Sequence, residues 1–304
     1  MQNLTFQLFR LSMYLIGHMP FWMLYGLSDF LRFMLFYVIR YRRKVVFSNF
    51  NRCFPEKSER EIRQIAWKFY RNLADITLES IKGFYLSKEE ICRRWRVINP
   101  ELLDDYYRNN RDVLNLAAHY ANWEWGILAL DAQIKHQAVS IYKPMSNQRM
   151  ENWSRAKRER FGMQLVPIWR TKEFFGSPKE KPVSVVLAAD QNPTNKDKAI
   201  VVKFFGYDTA CLHGPEAFGR GAGIPLVYFD VQRVKRGFYT MEIIPMFDNP
   251  QKTTPTEITR VYMSKVEAVI RQKPEDYLWS HRRWKHSVDE INEMLARQNS
   301  VVNS

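Results

Sequence analysis

The 304-residue chain has only three cysteines, Cys53, Cys92 and Cys211. They are too few and too widely spaced for a disulfide framework or a thiolate zinc site, and that scarcity fits a reduced, cytosol-facing compartment. The six histidines form no H-E-x-x-H and show no other metal-ligand spacing. No G-x-S-x-G elbow is present, which removes the common serine-hydrolase route. A dinucleotide G-x-G-x-x-G and a P-loop are missing too. Gly219-Arg220-Gly221-Ala222-Gly223 is rich in glycine but follows a helical stretch rather than a strand, the wrong context for a phosphate cradle. Acidic residues are also short: 32 Asp and Glu stand against 46 Lys and Arg, a formal net charge of +14. Such a surplus points to acidic partners, meaning nucleic acid, anionic lipid or an acidic protein. No recognised nucleic-acid module accompanies it. At 46% hydrophobic, 14% aromatic residues the chain is not disordered, and it is long enough to bury a sizeable core.

One stretch lacks charge altogether. From Leu11 to Ser28 there is no Asp, Glu, Lys or Arg, and Phe30–Ile39 holds only Arg32. Residues 5–39 are long enough to cross a bilayer, since roughly 20 residues span the hydrocarbon. Pro20 and Gly26 interrupt the run, so a helical hairpin lying in one leaflet is the other reading. A secretory signal fits poorly, because the start has little positive charge and no small-residue cleavage site follows. Arg40-Tyr41-Arg42-Arg43-Lys44 comes next, and the positive-inside rule turns that end toward the cytoplasm. Residues 1–44 are therefore expected to be a membrane-anchoring helical segment, and 45–304 the main domain.

Residues 45–110 form a helical lead-in, with Ile62, Ile65, Ala66, Phe69 and Leu73 at helical spacing. From 111 to 286 short apolar runs alternate with helical stretches. Strands are expected at 113–118, 138–142, 164–168, 183–189, 199–205, 225–234 and 238–244. Helices are expected at 123–135, 147–161, 213–222, 255–272 and 287–298. Thr254-Pro255-Thr256-Glu257 gives a capping box for the fourth of these. The pattern predicts an α/β fold, a mixed and largely parallel sheet flanked by helices.

The chemistry centres on Leu114–Trp125. The buried run ends at His119, and Glu124 falls in the first turn of the next helix. Ligands meet an open α/β sheet at that edge. With His119 ahead of the helix, the Glu124 carboxylate can reach back to one ring nitrogen and leave the other free as a base. An ordinary hydrogen-bonded His–Glu pair would read the same way. Asp190, followed by Gln191, ends another buried run and can face the same crevice. Lys143 follows the 138–142 run, Arg158 lies on the 147–161 helix, and Arg282 and Arg283 sit in an aromatic–basic tail suited to phosphate or sugar-acid oxygens.

Taken in order, His119-x-x-x-x-Glu124, Ile141-Tyr142-Lys143-Pro144, Asp190-Gln191, Val202-Lys203-Phe204-Phe205-Gly206 and Trp279-Ser280-His281-Arg282-Arg283-Trp284-Lys285 resemble the late acyltransferases of lipid A biosynthesis. These are the lauroyl and myristoyl transferase group of the lysophospholipid acyltransferase superfamily. The resemblance implies a glycerolipid acyltransferase-like fold and an enzyme on the cytoplasmic face of a bacterial inner membrane. It would move a fatty acyl chain from acyl carrier protein to a hydroxyl of an anionic lipid A precursor, with no cofactor and no metal. His119 then matches the catalytic histidine and Glu124 its carboxylate partner. Arg158 matches an arginine needed for activity, and Asp190 the acidic residue after the fourth strand run. Lys143 departs from the family's usual arginine, and Leu212-His213-Gly214 replaces a Thr-rich stretch; both bear on acceptor and acyl-chain identity. An acyltransferase for another membrane lipid, or a non-catalytic lipid-binding surface protein, are the competing readings.

Overall fold

The computed structural model describes residues 2–302, with side chains for residues 5–300. Two apolar helices open the chain, α1 (Gln2–His18) and α2 (Phe21–Phe33), with Pro20 at the break and a π-turn over Met34–Val38 continuing α2. Phe21–Val38 is long and apolar enough to cross a membrane. Pro20 has no N–H to continue α1, so the chain turns there. Helices α3 (Arg43–Cys53) and α4 (Glu59–Gly83) follow. Both halves of a capping box start α4, because Ser58 accepts from the Glu61 amide and Glu61 accepts from the Ser58 amide.

The remaining elements are α5 (Lys88–Arg94), β1 (Trp95–Val97), α6 (Asp104–Arg108), β2 (Val113–Ala117), α7 (Trp123–Ala129), β3 (Gln137–Tyr142) and α8 (Gln148–Glu159). Then come β4 (Gln164–Pro167), α9 (Thr171–Gly176), β5 (Val183–Ala188), β6 (Ile200–Phe204), β7 (Tyr207–Cys211) and α10 (Gly214–Gly219). A long hairpin of β8 (Leu226–Lys235) and β9 (Phe238–Phe247), α11 (Glu257–Gln272) and α12 (Val288–Val302) complete the chain.

Seven strands form one sheet in the order β1-β9-β8-β2-β5-β3-β4. Strands β8, β2, β5, β3 and β4 run one way; β9, antiparallel to β8, and β1 run the other. The mixed, mostly parallel α/β sheet expected from the sequence is thus present. Every residue of central β2 is buried, as in a parallel strand covered on both faces. A separate two-stranded ribbon, β6–β7, packs against α12 through Val201, Ala210, Ile291 and Met294. The main core runs continuously from Phe36 on the N-terminal segment to Trp279.

Helix α4 ties the N-terminal helices to that core. Its buried face carries Asn72, Asp75 and Glu79, three and four residues apart. Ser28 on α2 donates to Asp75 (2.5 Å), and Tyr25 donates to Glu79 (3.0 Å). From the β8–β9 hairpin, Arg233 and Arg236 both pair with Asp75, and Arg236 also reaches Asp29 on α2. Glu79 further accepts from Tyr239 (2.7 Å) and Asn122 (2.8 Å). The polar side of α2 is thereby held by protein, while Trp22, Phe30, Phe33, Val38 and Ile39 point outward, Trp22 with 77% exposure. A helix with one face fixed to a water-soluble core and the other apolar has the form of an interfacial helix.

Candidate active site

Parallel pairing of β2 and β5 sets the centre of the site. Val113 lies beside Ser184 and Ala117 beside Ala188, so partners along this ladder are 71 residues apart. His119 and Asp190 are also 71 apart, each two residues past the last pair. Register alone brings them together at the carboxyl edge of the sheet. His119 donates from Nδ1 to Asp190 Oδ1 (2.7 Å), and its backbone N–H donates to Oδ2 (3.2 Å). The other ring nitrogen is then free to face a substrate, and the side chain keeps 22% exposure, enough for one to reach it.

The turn carrying His119 is rigidly held. Leu278 N–H donates to the His119 carbonyl, Ala121 N–H to the Asp276 carbonyl, and Tyr262 hydroxyl to the Ala117 carbonyl (2.6 Å). Ala121 has φ +52°, a left-handed conformation that alanine adopts only under constraint. Asn122 caps α7 by accepting from Trp125 N–H (3.0 Å). The same side chain donates to Glu79, so the turn is fastened to α4. Trp123 lies edge-on to the imidazole, ring centroids 5.3 Å apart.

Burial disfavours a charged imidazole, but the Asp190 carboxylate, through its charge and hydrogen bond, and the Glu124 charge outweigh it, so the His119 pKa is raised. Burial would likewise raise the Asp190 pKa; the His119 charge and hydrogen bonds reverse that and lower it. The two groups favour the carboxylate–imidazolium state together.

One sequence expectation changes here. The hydrogen bond on the imidazole comes from Asp190, while Glu124 forms an ion pair with Arg158 of α8 (2.8 Å). Once α7 begins at Trp123, Glu124 faces α8, and the ladder has already delivered Asp190 to Nδ1. Gln191 is half-buried next to Asp190, and Lys143 is exposed beyond β3. Arg282 is exposed and its carbonyl accepts from Asn192. Arg283 is a second correction. It is 2% exposed and donates to the Ala210 carbonyl (2.6 Å), Asn192 Oδ1 (3.1 Å) and Cys211 Sγ (3.0 Å), which locks the tail to β7 and leaves it no access to a ligand. Burial also raises the Cys211 thiol pKa, so it is no ready nucleophile. Among the described residues no group of three or more His, Cys, Asp or Glu side chains could hold a metal ion.

Two of the grooves among the described residues differ in their relation to the site. One of about 630 Å³ lies toward the amino-terminal ends of β3 and β5, among Gln137, Gln164, Lys179 and Val183, away from His119. The other, about 880 Å³, runs between the start of α3 and the 281–285 tail, and Asn192 and His281 line it. Both basic stretches, Arg40–Lys44 and the tail, stand out in the sequence, but no local pattern signals that they line one groove.

Residues 2–286 match the family described as bacterial lipid A biosynthesis acyltransferase. The chain belongs to that family. It is 26% identical over 283 residues to the lipid A biosynthesis lauroyltransferase of Escherichia coli (strain K12), covering 90% of this chain and 89% of that protein. The lipid A biosynthesis palmitoleoyltransferase of the same organism is 25% identical over 252 residues, 81% of this chain and 80% of its own length. A Haemophilus influenzae lipid A biosynthesis acyltransferase is 22% identical over 236 residues, with 76% and 72% covered. As a member of the lipid A biosynthesis acyltransferases, the chain is an enzyme that transfers acyl groups to a lipid acceptor.

Proposed function

We propose that the protein moves a fatty acyl chain from acyl carrier protein to a hydroxyl of an anionic lipid A precursor, with His119 as general base. The observation that carries this is the partly exposed imidazole held by Asp190 at 2.7 Å on the sheet's carboxyl edge. The acceptor hydroxyl is far too weak an acid to ionise near neutrality. His119 takes its proton as the oxygen attacks the thioester carbonyl. Asp190 holds the tautomer and balances the imidazolium, in the logic of a triad whose nucleophile is the substrate. When the tetrahedral intermediate collapses, the imidazolium returns the proton to the departing thiolate sulfur. The Glu124 carboxylate puts a second negative charge close to the ring, and its pair with Arg158 steadies α7 against α8. The amides at the start of α7, the next helix after His119, are the backbone donors we assign to the developing oxyanion.

The +14 charge supports an acidic carrier and an anionic acceptor. The outward apolar face of α1 and α2, followed by Arg40–Lys44, supports seating on the cytoplasmic face of the inner membrane. The test is a purified assay with carrier-bound acyl donor and a lipid A precursor. His119→Ala should lower turnover on the order of 10²–10⁴-fold while the protein still folds and binds membranes. Near-normal turnover would remove His119 from the chemistry. Mass spectrometry of cellular lipids with and without the gene identifies the acceptor.

A further inference from the structure

The groove between α3 and the tail has an unusual lining. Arg40, Arg42, Arg43 and Lys44 come from one side, Arg282 and Lys285 from the other, and no Asp or Glu is among the lining residues. None of these six cations forms an ion pair with a carboxylate among the described residues, although acids pair with bases across the rest of the molecule. Six like charges around one concavity repel each other, so an anion bound there is favoured by all of them.

The backbone is shaped to hold them. Arg40 and Arg42 are both left-handed, φ +53° and +47°, and this double bend is pinned rather than loose. Tyr41 N–H donates to the Leu35 carbonyl, Tyr70 hydroxyl to the Tyr41 carbonyl (2.6 Å), and Arg42 to the Ser280 carbonyl (3.0 Å). Asn49 donates to the Trp279 and His281 carbonyls, which fixes the opposite wall. Strained backbone held this firmly is a mark of a binding site.

Position decides what the anion is. The groove's lining includes Asn192, two residues along the chain from the carboxylate on His119. His281 also lines it, and burial together with the Arg283 charge pushes its pKa down to about 4, so it stays neutral and can donate a hydrogen bond without adding charge. The cations Arg40–Lys44 follow directly in the chain on Val38 and Ile39, exposed at 58% and 60% on the apolar face. Arginine forks bind phosphate oxygens bidentately, and cations beside an apolar helix sit at headgroup level. A volume of about 880 Å³ suits a sugar-phosphate headgroup. A convex acidic protein would touch the rim and leave the Val45 and Phe47 floor unfilled.

We propose that this groove binds a phosphate group of the membrane-borne acceptor and so presents its hydroxyl to His119. The inference rests on the acyl-transfer reading and names the feature of the acceptor that the enzyme recognises. The test compares a phosphorylated acceptor with the same glycolipid after phosphatase treatment, in mixed micelles, using the full chain. Wild type should prefer the phosphorylated acceptor by about tenfold or more in kcat/KM. The triple variant Lys44→Gln, Arg282→Gln, Lys285→Gln should lose that preference, and Lys44→Arg with Lys285→Arg should keep it. If the triple variant does not fold, Lys285→Gln alone should still lower the ratio. Binding of both lipids, followed by tryptophan fluorescence without donor, gives a readout independent of turnover. An unchanged ratio and unchanged binding in the variants overturn the proposal while leaving the acyl-transfer reading intact. A loss confined to KM for the carrier-bound donor overturns it too, by making the groove the carrier's docking site. Transfer to neither lipid, with phosphate-dependent binding preserved, sinks the acyl-transfer reading alone.

Discussion

Two parts of this protein gather arginines for opposite ends. Behind the sheet, Arg233 and Arg236 meet Asp75, and Arg236 also meets Asp29; each guanidinium has a carboxylate. In the groove beside α3, Arg40, Arg42, Arg43 and Arg282 have none. Matched charge in the interior holds elements in one arrangement, whereas unmatched charge at a surface concavity leaves an attraction for something that arrives later. Composition makes no distinction between the two sets. Only the counting of partners in space does.

Asp75→Asn should break this comparison most visibly. It removes the charge of a fully buried carboxylate on which two partly buried guanidiniums converge, and loss of one member of a buried pair typically costs about 3–5 kcal/mol. Chemical denaturation in detergent should show a large fall in midpoint, while Lys285→Gln leaves the midpoint where it was. Equal shifts in the two variants would mean that the groove cations are structural as well.

Asp190→Asn sharpens the comparison at a third place, the His119–Asp190 pair, where the proposed mechanism has matched charge serve reactivity. Under the proposed mechanism His119 must be neutral to accept a proton, and its raised pKa puts the acidic limb of the pH–rate profile higher than an ordinary histidine would. Removing the carboxylate charge should move that limb to lower pH and drop the plateau on the order of 10²-fold. A limb that stays in place would show that another group titrates. Arg158→Gln has the smallest expected effect. Its pair with Glu124 is about one-fifth exposed at each side chain, so stability should fall by about 1 kcal/mol. Transfer should fall by about tenfold, since Glu124 is then unrestrained beside the imidazole.

Much of the architecture was legible in the residues. The runs that became β2, β3, β4, β5, β6 and β8 lie within one or two positions of their expected bounds, because short apolar stretches bounded by polar residues mark strands with a buried core. β9 starts at the expected residue but runs on to Phe247. β1 and β7 were not anticipated. Trp95-Arg96-Val97 is three residues at the end of a helix, and Tyr207-Asp208-Thr209-Ala210-Cys211 carries the polar residues of a loop. Helix α11 starts two residues after its expected first position, at Glu257, with Thr256 left-handed and Thr254 donating to the Glu257 carboxylate.

The candidate site was half legible. His119 stands out because it closes an apolar run, and Asp190 does the same, but their pairing depends on a ladder offset set by all the residues between them. Glu124, only five positions on, was the nearer and wrong partner for the ring's hydrogen bond. Arg283 and Arg282 are neighbours in an unbroken basic stretch, and burial, which no local pattern reveals, makes one a bolt and the other a surface group.

The hydroxyls of Ser28 and Tyr25 reach Asp75 and Glu79, and Glu79 holds Asn122, which caps α7 just after the turn that carries His119. Clipping off the greasy leading helices to obtain a version that dissolves without detergent would therefore pull stitches from the middle of the fabric. Anyone shortening the chain for convenience should expect the turn that carries His119 to lose its footing along with the apolar face.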